Sequence, residues 1–123
     1  MKFLCLACEE EQTLDALTPG EWDALRRETI AYVEALREGG HLVVTNALQS
    51  ARKAVTVRVR GGKRSVTDGP FAETKEIIGG FFLIEAGDLD EAIRLAAGWP
   101  SARLGSIEVR PVQETLPLDR RYL

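Results

Sequence analysis

The sequence predicts an α+β domain in which two helices cover one face of an antiparallel sheet. Three observations carry that expectation. Apolar runs of strand length alternate with two capped segments of helical period. Those elements fall in the order β-α-β, an inserted hairpin, then β-α-β, the split plan of a ferredoxin-like fold. The chain has 123 residues, 45% of them hydrophobic and 28% charged, the size and composition of one ordinary globular domain.

Lys2 to Cys8 is an apolar run, read as a first strand, that ends in an acidic turn from Glu9 to Gln12. Thr18-Pro19-Gly20-Glu21 then joins a Thr cap, a proline at the first helical position and a Glu placed to reach back to the cap amide. Trp22, Leu25, Thr29 or Ile30, Val33 and Leu36 follow at three- and four-residue steps until Gly39-Gly40, so one face of this helix is core. Leu42 to Ala47 is a second strand. Ala54 to Arg60 is a third, in which Val55, Val57 and Val59 alternate with Thr56, Arg58 and Arg60. Gly61-Gly62 turns it into a short strand from Arg64 to Thr67. After the segment Asp68 to Gly80 comes the strongly apolar strand Phe81 to Ala86. Asp88-Leu89-Asp90-Glu91 caps a second helix whose inner stripe is Leu89, Ala92, Ile93 and Ala96, ending near Gly98 and Pro100. Ser106 to Val112 is the last strand. The domain is expected over residues 1–113, with a tail over 114–123 that contains Pro117. Trp22 and Trp99 are read as plugs of the seam between helices and sheet.

Helices on one face leave the other face of such a sheet to water, so its residues should be polar. They are not. Phe3, Cys5 and Ala7 alternate with the equally apolar Leu4, Leu6 and Cys8, and Phe81 and Leu83 alternate with Phe82, Ile84 and Ala86. These strands are the central pair, so an apolar band crosses the uncovered face and marks an interface. The simplest cover is a second copy, giving a homodimer through the sheet face. In it Leu4 or Leu6 and one of Phe81 or Phe82 are buried by dimerisation alone.

The net charge of −3 comes from acidic and basic residues mixed along the chain, without the basic stripe that nucleic acid or an anionic membrane requires. No apolar stretch is long enough to cross a bilayer and no secretory leader opens the chain, so a cytoplasmic protein is expected. Cys5 and Cys8 have C-x-x-C spacing but lie within a strand, where residues three apart point to opposite faces, so they are read as two buried apolar thiols that do not bridge. Metal chemistry would need ligands that the single histidine does not supply. Phosphate-loop, dinucleotide, nucleophile-elbow and paired metal-ligand motifs are absent, and neither a cofactor nor a metal is expected.

The most distinctive stretch is Val66-Thr67-Asp68-Gly69-Pro70-Phe71-Ala72-Glu73-Thr74-Lys75-Glu76, followed by Gly79-Gly80-Phe81-Phe82-Leu83-Ile84-Glu85. With Asp88 to Ala92 and Ile107 to Pro111, it resembles the DGPF-domain branch of the YCII-related proteins over nearly the whole chain. The resemblance implies a dimeric α+β barrel, in agreement with the two-sided apolar strands. It implies no settled reaction. A catalytic Asp/His pair has been suggested for other YCII-like branches. DGPF relatives are often encoded beside extracytoplasmic-function sigma factors, which implies an association with such a factor in a stress response.

Three functions stay open. The first is a small-molecule-binding protein or enzyme with a polar pocket near the DGPF segment. There Asp68 and Glu76 act as acceptors or general bases, and Lys75, Arg58 and Arg110 hold a small anionic ligand. His41, whose ordinary pKa lies near neutrality, is the remaining proton-transfer candidate, against a plain loop histidine. The second is a non-enzymatic accessory protein that docks through Leu116 to Leu123. The third is a dimer with no ligand. The architectural reading of Asp68-Gly69-Pro70 is a turn with positive φ at the glycine, the Asp68 carboxylate directed into hydrogen bonds and Phe71 plugging the core.

Overall fold

The computed structural model describes residues 1–115. Strand β1 (Lys2–Glu9) leads through a short helix α1 (Glu11–Asp15) to the long helix α2 (Pro19–Glu38), and β2 (Leu42–Ala47) follows. The hairpin β3 (Val55–Arg60) and β4 (Lys63–Asp68) precedes β5 (Ile77–Glu85), α3 (Leu89–Ala97) and β6 (Ser106–Pro111). Four strands form one antiparallel sheet in the order β2-β5-β1-β6, the ferredoxin-like arrangement, while β3 and β4 make a separate two-stranded sheet.

Local chemistry fixes the helix starts. Thr18 Oγ1 accepts from the Glu21 amide at 3.1 Å and the Glu21 carboxylate accepts from the Thr18 amide at 3.0 Å, a complete capping box. Asp88 caps α3 through the Glu91 amide at 2.8 Å. Leu25 and Leu36 are buried on α2. On α3 the buried residues are Ala92, Leu95 and Ala96, whereas Leu89 and Ile93 are exposed, which corrects the expected stripe. A helix turns about 100° per residue, so a core face centred on Ala92, Leu95 and Ala96 carries Ile93 off to one side. Helix α1 lies where a turn was expected. Leu14 is its lone aliphatic residue, so no helical period is legible there.

The core sits between the sheet and the helices. Phe3, Cys5, Phe82 and Ile84 are fully buried. Trp99 stacks on Phe82 at 4.1 Å and meets Tyr32 edge-on at 6.2 Å, and the Tyr32 hydroxyl donates to the Leu95 carbonyl at 2.7 Å. Trp99 therefore occupies the expected seam. Trp22 does not: it is 49% exposed.

On the opposite face of the sheet Leu4 stands across from Leu83 and Leu6 across from Phe81. Neighbouring β6 places Arg110 beside Leu4 and Glu108 beside Leu6. The apolar band over the two central strands is therefore present, with a polar edge along β6. Phe81 is its outward phenylalanine, because Phe82 is already fully buried in the single chain. Both cysteines are free and on opposite faces, as strand parity requires, but only Cys5 is buried; Cys8 is half-buried on the outer face, which corrects the expected burial of both. Burial pushes the Cys5 thiol up to about 11.

The hairpin turns through Gly61 at φ 56° and Gly62 at φ 76°, the two consecutive positive angles of a type I′ turn. Its Val55, Val57, Val59 and Val66 are exposed, with Val57 paired to Val66. Among the described residues, no helix is long and apolar enough to cross a membrane.

Candidate functional site

A cleft of about 750 Å³ opens between α2 and the β2 and β5 side of the sheet. Trp22, Leu25, Ile30 and Val33 of α2 form one wall. The floor is Gly79-Gly80 of β5, two successive residues without side chains. Space on this floor is occupied in an informative way. A Cβ at Gly79 would collide with the Glu9 carboxyl, and one at Gly80 would meet the Asn46 carbonyl oxygen at 3.1 Å. Gly79 is thus the seat of Glu9.

Strand parity brings Glu9 there. The inward residues of β1 are Phe3, Cys5, Ala7 and Glu9, so the strand that builds the core ends by directing a carboxyl into the cleft. Glu9 is only 6% exposed and makes no hydrogen bond or ion pair with a described residue. Burial, and then the nearby charge of Glu76, raises its pKa. Glu11, two residues on, has the opposite setting. It accepts from Ser50 Oγ at 2.7 Å and from the Ala51 amide at 2.9 Å, with Arg52 Nε 3.9 Å away. The Ser50 hydrogen bond, followed by the Ala51 amide, lowers its pKa. Two carboxyls of one cleft are thereby driven apart in acidity, an arrangement suited to holding a proton on one and a charge on the other.

The residues singled out in the sequence lie elsewhere, and none of the six lines the cleft. Asp68 ends β4 as expected, but it is exposed and its carboxylate has no hydrogen bond or ion pair with a described residue, which corrects the expected hydrogen bonding. The turn is closed by its neighbours instead. Gly69 at φ 97° donates its amide to the Ala54 carbonyl at 2.7 Å, and Thr56 Oγ1 donates to the Gly69 carbonyl at 2.8 Å. Phe71 is 81% exposed and plugs nothing in the single chain. Lys75 pairs with Glu10 at 3.6 Å, and Glu76 accepts from Ser106 Oγ at 2.7 Å, so the end of the signature docks onto the ends of β1 and β6. Arg110 pairs with Glu108 at 2.6 Å on the outer face. Arg58 is half-buried on the hairpin and has no side-chain bond with a described residue. His41 Nδ1 lies 2.9 Å from the Glu85 carbonyl, and the carboxylate beside it is Glu91 at 4.0 Å, not an aspartate. No cluster of metal-ligating side chains occurs among the described residues. The Leu116 to Leu123 docking element lies outside them.

The model of the YCII-related domain matches residues 1–115 of this chain. The chain belongs to the YCII-related family. It is 36% identical over 114 residues to an uncharacterized protein of Rhizobium meliloti (strain 1021), a match covering 91% of this chain and 92% of the relative. Among solved structures it is similar to the 5-chloro-2-hydroxyhydroquinone dehydrochlorinase of Burkholderia phenoliruptrix AC1100, solved in complex with 2,5-dihydroxybenzoquinone. The TM-score is 0.57 at 17% identity, covering 94% of this chain and 96% of that one. At that identity the likeness bears on the fold alone, and the fold of this YCII-related chain agrees with it.

Proposed function

We propose that this YCII-related protein binds a small molecule in the cleft between α2 and the sheet, with Glu9 as the polar group at its inner end. The observation that carries this is a buried carboxyl without a protein partner lining a cleft of about 750 Å³, within the range of small-molecule sites. A binding protein and an enzyme would share this cleft, and turnover of the bound molecule separates them. The small quinone in the similarly folded dehydrochlorinase is in keeping with a ligand site on this fold.

The working unit in this proposal is a pair of chains joined through the outer sheet face. Leu4, Leu6, Phe81 and Leu83 supply its apolar band, and the exposed valines of the hairpin add a second apolar surface that no described residue covers. An isolated two-stranded hairpin is marginal by itself, so a second copy is the natural support.

The test is a thermal-shift screen of metabolite mixtures on the wild type and on Ile30→Trp, which narrows the cleft from an exposed position on α2. At least one compound should raise the wild-type melting temperature and lose that effect in the variant. Compounds that stabilise both proteins equally, or a screen in which none stabilises the wild type, would refute the cleft as a ligand site.

A further inference from the structure

We infer that Glu9 meets its ligand as a neutral carboxylic acid that donates a hydrogen bond, and that the ligand is a small anion with an apolar middle, an oxygen acceptor at its inner end and its charge near Arg26. This rests on the cleft being a ligand site and specifies what that site takes.

The first support is the isolation of Glu9. It is 6% exposed, and no described cation or hydrogen-bond donor reaches its carboxyl. No partnerless side-chain oxygen or nitrogen in the described structure is sealed from its surroundings, so the Glu9 oxygens open onto the cleft. The charged groups around it reinforce a neutral state. Glu76, just before β5, repels a charge on Glu9. Glu11 and Asp15 of α1 are further acids of the same cleft. The Arg52 guanidinium is drawn to Glu11 at 3.9 Å and to Ser50 Oγ at 3.3 Å. An ionised Glu9 would be a charge at the inner end of the cleft without a described counter-ion, which favours the protonated form.

The shape of the cleft supplies the rest. Gly79 leaves room for the Glu9 carboxyl, and the aliphatic side chains of Leu25, Ile30 and Val33 line the cleft from α2 with the Trp22 ring beside them. A ligand with an apolar middle fits against such a wall better than a strongly hydrated one. Arg26 lies on the same helix, lines the cleft and makes no ion pair with a described residue. Its guanidinium is therefore available for a carboxylate or similar anion. A neutral acid at the inner end and a guanidinium on the helix wall select a molecule with two oxygen-bearing ends.

The probes are 4-hydroxybenzoate, benzoate, which lacks the far oxygen, and 4-hydroxybenzamide, which lacks the charge. Binding is measured by calorimetry on the wild type, Glu9→Ala, Glu9→Gln and Arg26→Gln. Carbon-detected NMR follows the side-chain carboxyls through a pH titration, with Glu9 assigned by its absence in Glu9→Gln. Glu9 should titrate above the exposed glutamates. The wild type should prefer 4-hydroxybenzoate to both other probes. Glu9→Ala should weaken its binding by about tenfold, the worth of one hydrogen bond of ~1.4 kcal/mol, while Glu9→Gln, which still donates, stays near wild type. Arg26→Gln should weaken 4-hydroxybenzoate and leave 4-hydroxybenzamide unchanged. A Glu9 that titrates with the exposed glutamates, or 4-hydroxybenzoate bound equally by wild type and Glu9→Ala, overturns the inference while leaving the cleft a ligand site. If no probe binds the wild type, the ligand class is wrong, and the metabolite screen with Ile30→Trp judges the cleft independently.

Discussion

Gly79 and Glu9 occupy one space from two strands, and their coupling is measurable. Gly79→Ala drives a methyl into the Glu9 carboxyl and should lower stability in urea unfolding by about 1 to 3 kcal/mol. Removing the carboxyl as well, in Glu9→Ala/Gly79→Ala, should recover much of that loss, because the residues are in contact and their effects are not additive. The raised pKa of Glu9 also makes a signed prediction. The unfolded chain loses this proton first, near the ordinary glutamate value of about 4.3, so the folded state binds more protons between that value and the raised one. Stability owed to Glu9 is complete below that window and is lost as pH rises through it. Denaturation midpoints of wild type should therefore fall relative to Glu9→Gln as the pH is raised through the window, and parallel curves would show that Glu9 is not perturbed. In the sequence, Phe3, Cys5 and Ala7 already fix the parity that sends Glu9 inward. The acidic run Glu9-Glu10-Glu11 conceals it, because it also has the composition of a turn. Asp68 misled for the reverse reason: a Gly-Pro pair constrains the backbone, but here that constraint serves Gly69 and its bond to Ala54, not the carboxylate before it.

At the scale of elements, what the sequence makes legible is whatever local chemistry determines. The capping box at Thr18, the Asp88 cap and the paired turn glycines Gly61 and Gly62 each act over four residues or fewer, and each lies where the sequence places it. Thr18→Ala should accordingly cost about 1 kcal/mol, read from the chemical denaturation midpoint. Tertiary packing chooses among options that local pattern leaves open. Leu95 turns inward beside Trp99, and Ile93 does not. Phe82 lies fully buried under the Trp99 ring, so Phe82→Ala should cost about 3 to 5 kcal/mol, far more than the cap. The cleft was the least legible feature, since it is built from α2, a β5 floor and the end of β1, residues far apart in sequence whose meeting no local pattern encodes.

For the whole molecule, the ferredoxin-like strand order follows from element order and from the apolar character of β1 and β5, which demands the two central positions. The same apolar character on both faces underlies the proposed pairing of chains. Leu6→Asp would place a charge in that band, and analytical ultracentrifugation should then find monomer or aggregate, against the dimer that the proposed pairing requires of the wild type. The proposed cleft opens toward α2 and the proposed pairing band lies on the outer sheet face, with Phe81 the residue common to both. A small molecule bound at the α2 cleft and one bound on the outer sheet face would perturb different backbone amides. Amide chemical-shift changes in a ¹H–¹⁵N NMR titration of the wild type with the strongest compound from the metabolite screen decide this directly. Changes centred on Glu9, Ile30, Gly79 and Gly80 are predicted, and changes centred on Leu4, Leu6 and Leu83, with those four amides unmoved, would contradict it.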